Sequence, residues 1–279
     1  MRVLEGVINV IKRSERVKEA QKAFTKKDLE WQKQAHDKEK ISSEAWHKTE
    51  QGKYLAPAVF GASDGIVTTF AIVAGVVGAD LSPGIVLILG FANLFADGFS
   101  MAVGDYISQK SEREYIKSER EREAWEVEIN PEGERVELEE IYRKKGLEGE
   151  QLDTLLDIIT SDKELWISTM MHEELGILDA EEESPLKSAI VTFVSFAIAG
   201  FMPLLAYVLA SVIPQFRSHM FLFASIITAI TLFIIGAMRQ AITGVKWYKG
   251  GLEMLITGGL SASVAYLIGY LLNSLAGVM

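Results

Sequence analysis

Cysteine is absent from this 279-residue chain, which excludes a disulfide framework, zinc–thiolate sites and cysteine catalysis together. Charge is the next thing missing, and it is missing locally. Residues 57–107 and 185–279 hold only 5 Lys/Arg and 5 Asp/Glu, although the whole chain carries 28 and 38. The remaining charge is segregated. Residues 1–56 hold 13 basic and 9 acidic side chains, a net of +4, and residues 108–184 hold 10 and 24, a net of −14. A mean hydropathy of +0.17 beside so many charges requires that segregation, which rules out an ordinary soluble globular domain. The acidic balance argues against nucleic acid as a partner.

The uncharged portion divides into apolar runs long enough to cross a bilayer, which takes about 20 residues as helix. Five such spans are expected, at roughly 56–79, 84–107, 188–212, 220–238 and 252–275. The fold class predicted is an all-α polytopic membrane protein with a cytoplasmic helical metal-binding insert between spans two and three. Its parts are cytoplasmic or interfacial N-terminal helices at 1–55, spans at 56–107, the acidic insert at 108–184 and spans at 185–279. Residues 1–12 read as an amphipathic surface helix rather than a signal peptide, because Glu5, Asn9 and Lys12 interrupt the apolar run. Basic residues orient the chain: Arg239, Lys246 and Lys249 lie between spans four and five, only Arg217 between three and four, and none between one and two. The N-terminus and insert are thus expected in the cytoplasm and the C-terminus outside. With no targeting signal, the plasma membrane of a prokaryote is the expected location.

Ionisable residues inside spans are costly and usually face a cavity. Span one contains Asp64. Span two contains Asn93, Asp97, Met101 and Asp105, each four residues after the last, so all four form one slowly drifting stripe on a 3.6-residue helix. Met101 standing alone would read as packing. Between two aspartates it is a candidate thioether ligand, and such a mixture suits a transition metal better than Ca²⁺ or Mg²⁺. Gly61 and Gly65, and the Gly258–Ala262 and Gly259–Ser263 pairs, have the small-xxx-small spacing of close helix contacts.

Past Ile107 no glycine or proline interrupts the chain until Pro131. A single helix from Gly84 to Glu128 would be about 67 Å long, against a hydrocarbon core of about 30 Å. Asn130–Pro131 reads as the cap and first residue of a second helix closed by Gly146. A third is expected over Glu148–Thr160, and a fourth from a capping box, Ser161 to Glu164, to about Gly176. Most carboxylates of the insert read as solvated. Glu123/Glu126 and Glu134/Glu137, however, repeat one spacing on two helices, and Met170, Met171, His172, Glu173 and Glu174 add sulfur, nitrogen and oxygen donors from another. That donor set suits Fe²⁺ or Mn²⁺, with weaker claims for Co²⁺ and Zn²⁺, and metal bound there should compete with protons.

Three segments, Gly61-Ala-Ser-Asp-Gly65, Ser100-Met-Ala-Val-Gly-Asp-Tyr106 with Lys110-Ser-Glu112, and Met170-Met-His-Glu-Glu-Leu-Gly176, resemble those of the vacuolar iron transporter family of Fe²⁺ and Mn²⁺ transporters. The resemblance runs from about Pro57 to the C-terminus. It implies a homodimer that exchanges cytoplasmic Fe²⁺ for protons along a pathway lined by the first two spans, with no prosthetic group and no enzymatic step. Asp64 and Met101 stand at its pathway positions, and Glu123, Glu126, Glu134, Glu137, Met170 and Glu174 at its cytoplasmic metal-binding positions. Asn93 stands where better-known eukaryotic members have a glutamate. If Asp97 substitutes for it, the ion site shifts by about 6 Å along the helix. Met171 replaces another acidic ligand, with His172 or Glu173 to compensate. Two other readings stay open: a membrane-anchored metal sensor, and a di-iron ferroxidase, for which only Glu44-Ala-Trp-His47 has the Glu-x-x-His spacing.

Overall fold

In a computed structural model the described residues are 23–24, 26–35, 54–177, 184–239 and 246–276, and among them every regular element is helical. The helices are α1 (Leu29–Ala35), α2 (Leu55–Gly78), α3 (Pro83–Ile129), α4 (Pro131–Lys144), α5 (Glu150–Thr160), α6 (Lys163–Glu173), α7 (Pro185–Val212), α8 (Met220–Met238) and α9 (Trp247–Ala276), with a 3₁₀ turn at Pro214–His219 before α8. The expected surface helix at residues 1–12 and the Glu44–His47 motif lie outside the described residues. Helices α2, α3, α7, α8 and α9 are long and apolar enough to cross a membrane. They fall where the five apolar runs were expected, within a few residues at most ends.

The described residues form two compact units, one of those up to 103 together with those from 187 onwards, and one of those within 104–186. In the first, apolar side chains of α2, α3, α7, α8 and α9 interlock around Val73, Val86, Leu204, Tyr207 and Ala224. A second cluster joins Ile66, Ala199, Leu232, Ile235 and Met254. Helices in lipid gain little from hydrophobic burial against each other, so close approach of backbones matters more. Gly65 of α2 lies against the backbone of Phe196 on α7, where a Cβ would come within 2.9 Å of the Phe196 Cα. Gly61 makes the same kind of approach to Thr192 one turn away. The small pair expected in span one therefore packs helix on helix, as does Gly258 against Leu232. Gly259, by contrast, has no neighbour within 4 Å of its Cβ position.

The second unit is a small helical bundle with a core of its own. Val127 of α3, Leu138 of α4, Leu152, Leu156 and Ile159 of α5, and Trp166, Ile167, Met170 and Met171 of α6 are all buried in it. Its turns follow from local chemistry. The Asn130 side chain accepts a hydrogen bond from the Gly133 amide at 3.3 Å, with Pro131 in the first turn of α4, so α3 ends and α4 begins as expected. Gly146, Gly149 and Gly176 have φ of +94°, +60° and +66°, the left-handed region that glycine enters without penalty. The α6 cap differs from expectation. Asp162, not Ser161, caps the helix by accepting from the Leu165 amide at 3.0 Å. Ser161 closes α5 and donates to the Ile158 carbonyl at 2.7 Å. Two adjacent residues were each capable of capping, and the turn backbone selected the carboxylate.

Candidate metal centre

The acidic bundle brings three carboxylates from three segments to one point. Glu123 is on the charged part of α3, well past its apolar stretch. Glu134 is in the first turn of α4, and Glu174 terminates α6. Their ligand oxygens all lie within 4.8 Å of one another. The Asn130–Pro131 break lets α4 turn its first residues back towards α3. Ion pairs brace α6 beside α3: Lys163 to Glu128 at 2.9 Å and Arg120 to Glu164 at 2.6 Å. Arg135 of α4 donates to Asp157 at 2.8 Å and Thr160 at 3.2 Å of α5. The apolar core beneath includes Met170, one turn before Glu174.

The electrostatics are unfavourable without a cation. Glu123 is fully buried and Glu134 is 6% exposed, while Glu174 is exposed. Neither oxygen of Glu123, nor Oε2 of Glu134, has a hydrogen-bond partner. Burial first, then the charge of Glu174, pushes the Glu123 carboxyl up to about 7. Burial and then Glu123 push Glu134 up to about 7 as well. Glu174 is raised by burial and by Glu137. Buried carboxylates without hydrogen-bond donors are expensive, Glu123 having only the charge contact with Arg122 at 2.7 Å, and a shared divalent cation relieves them directly. Two ligands of one ion stand at most about 4–5 Å apart, twice a metal–oxygen bond of about 2.0–2.6 Å. The 4.8 Å limit is within that span, so the residues fit a cation.

The other expected ligands have different surroundings. Glu126 and Glu137 surround the triad at Coulombic range, and Glu126 is ion-paired to Arg122 at 2.5 Å. Met170 and Met171 are buried in the apolar core, at 0% and 3% exposure. His172 is exposed and stands outside the triad. Glu173 is ion-paired to Lys145 rather than joining the triad. Successive residues of a helix point about 100° apart, so the five donors of residues 170–174 face several directions.

Along α3 the stripe of Asn93, Asp97, Met101 and Asp105 is half-buried while most residues between are exposed, so the four share a face. Asp105 accepts a hydrogen bond from Gln109 at 2.9 Å. Asp64 is half-buried on α2, as Asp97 is on α3. The Asn93 amide nitrogen is buried without a partner. Two polar features carried no expectation from the sequence. Glu253 of α9 pairs with Arg239 at 3.2 Å, and Thr69 and Thr228 bury hydroxyls without partners. A lone Glu near the start of an apolar helix was the available signal for the first. Hydroxyls in apolar runs usually bond back to their own helix, so nothing marked the second.

Five long apolar helices with an ionisable stripe, joined to an acidic helical bundle whose carboxylate triad has cation-sized spacing, define a multi-pass membrane protein. Residues 55–270 match the family model described as the VIT family, and the chain belongs to that family. It is 39% identical to the vacuolar iron transporter of Toxoplasma gondii over 83% of this chain and 78% of that protein. It is 35% identical to the vacuolar iron transporter of Plasmodium falciparum over 94% of this chain and 98% of that one. Vacuolar iron transporter 1 of Arabidopsis thaliana is 31% identical over 79% and 88%.

Proposed function

We propose that this protein is a secondary transporter that moves Fe²⁺, with Mn²⁺ as a second substrate, out of the cytoplasm in exchange for H⁺. Membership of a family whose relatives are named iron transporters supports the substrate class. The single observation that carries the mechanism is the pair of half-buried carboxylates within the apolar helices, Asp64 on α2 and Asp97 on α3. Two acids in such a place are stabilised by sharing a proton or a cation, which is the exchange an antiporter performs. Asn93, Met101 and Asp105 continue that route along α3. The acidic bundle, held on the cytoplasmic side by the distribution of basic residues, captures the ion first through Glu123, Glu134 and Glu174, with Glu126, Glu137 and Met170 around them.

In this reading the chain is a transporter and not an enzyme, works as a homodimer, and binds Fe²⁺ as cargo. The ferroxidase alternative needs a second Glu-x-x-His motif and gains nothing from an exposed His172. A sensor merely anchored in the membrane has no use for Asp64 and Asp97. The expected prokaryotic plasma membrane draws no support from relatives named as vacuolar.

Proteoliposomes acidified inside test the proposal. Fe²⁺ is expected to accumulate and the lumen to become alkaline, with Mn²⁺ competing for uptake. Asp64→Ala and Met101→Ala should each abolish most of that uptake. If both leave it unchanged, the assigned route is wrong.

A further inference from the structure

The carboxylate cluster of the acidic bundle already contains a cation of its own. Arg122 lies on α3 among Glu119, Glu123 and Glu126, at positions i−3, i+1 and i+4. Its Nε and Nη2 donate to Glu119 Oε2 at 3.1 and 3.0 Å. Its Nη1 donates to Glu126 Oε2 at 2.5 Å. Nη2 also stands 2.7 Å from Glu123 Oε1, a contact of charge without hydrogen-bond geometry, since both Glu123 oxygens lack a donor. Among the described residues it forms no ion pair with Glu134 or Glu174. The guanidinium side chain is 39% exposed, so it has an open route to solvent, while Glu123 has none.

We propose that Arg122 is a resident stand-in for the captured ion, occupying the Glu123–Glu126 side of the cluster until a divalent cation displaces it, and thereby setting the preference for divalent over monovalent ions. This rests on the reading that the cluster binds cations. The argument is one of exchange. A monovalent ion that replaces the guanidinium brings the same charge and forfeits the forked hydrogen bonds to Glu119 and Glu126, so the exchange is unfavourable. A divalent ion doubles the attraction to Glu123 and Glu126. It also reaches Glu134 and Glu174, with which Arg122 forms no ion pair among the described residues. The cost of displacing Arg122 falls equally on all ions, and only a divalent one exceeds it. The apparent affinity for the divalent ion is then reduced by the fraction of molecules with Arg122 in place.

Co²⁺ titration of the full-length, chelator-stripped protein in detergent tests this, read by calorimetry and visible absorbance, with and without K⁺ at roughly physiological strength. Arg122→Gln is expected to bind Co²⁺ about tenfold more tightly at low salt, and to lose that affinity more steeply than the wild type as K⁺ is added. Arg122→Lys keeps the charge, supports folding and lacks the fork, so it should fall between the two. Binding by Arg122→Gln and Arg122→Lys that is unchanged or weaker, or a K⁺ dependence equal to the wild type's, overturns the proposal and assigns Arg122 to holding the ligands in place. Glu134→Gln separates the two levels of inference. If it leaves Co²⁺ affinity untouched, the cluster is not the cation site, and the proposal falls with that reading.

Discussion

Glu123 and Glu134 stand on opposite sides of the helix break at Asn130–Pro131, yet their carboxylate oxygens come within 4.8 Å of one another, and three of the four oxygens are buried without a hydrogen bond. Folding therefore forces together two groups that water would keep apart. The consequences can be measured in pH dependence, in opposed effects on stability and binding, and in the packing that compels the approach.

Stability of the metal-free protein should fall as pH rises. Glu123 and Glu134 are raised from 4.5 to about 7 in the folded state, so between those values the folded chain holds more protons than the unfolded one. Stability then decreases with pH. The contribution is fully present below about 4.5 and lost through about 7. Thermal melts in EDTA should show Tm declining across that window and levelling above it, with Mn²⁺ restoring it. A Tm that rises over the same window would contradict the assignment.

Glu134→Gln should move stability and binding in opposite directions. Removing one of the buried like charges relieves the repulsion, so the metal-free protein should melt at a higher temperature. Removing a ligand charge should weaken Co²⁺ binding by about tenfold or more. A parallel loss of both would mean that Glu134 serves only the fold.

Gly65→Ala and Gly104→Ala form a contrasting pair. A methyl at Gly65 would press on the Phe196 backbone of α7, which cannot move aside as a side chain would. We expect a loss of about 1–3 kcal/mol, seen as a lower aggregation temperature in detergent. Gly104 faces open space, so alanine there should be neutral or should stabilise the helix by up to about 1 kcal/mol.

Asp162→Ala should cost about 1 kcal/mol by uncapping α6, whereas Ser161→Ala should change little. Urea melts followed by tryptophan fluorescence, which senses Trp166 in the same helix, will distinguish them. Equal losses would restore Ser161 as a cap.

Periodicity, charge segregation and punctuation by Pro131 and Gly146 are properties of adjacent residues, and they were enough to place five apolar helices, one long continuous helix into the acidic segment and the four-helix order there. They also nominated Glu123, Glu134 and Glu174 together with six other donors. What they left open was convergence. Residues 170–174 looked equivalent on paper, but Met170 and Met171 lie in the apolar core, His172 is exposed, Glu173 pairs with Lys145 and Glu174 joins the triad. Arg122 likewise looked no different from the neighbouring basic residues until three carboxylates were seen around it. Local sequence determines where helices start, stop and hide from water, because those depend on backbone and solvent. Which charges meet depends on rotation about each helix axis and on the packing of segments distant in the chain, and only the tertiary structure decides that.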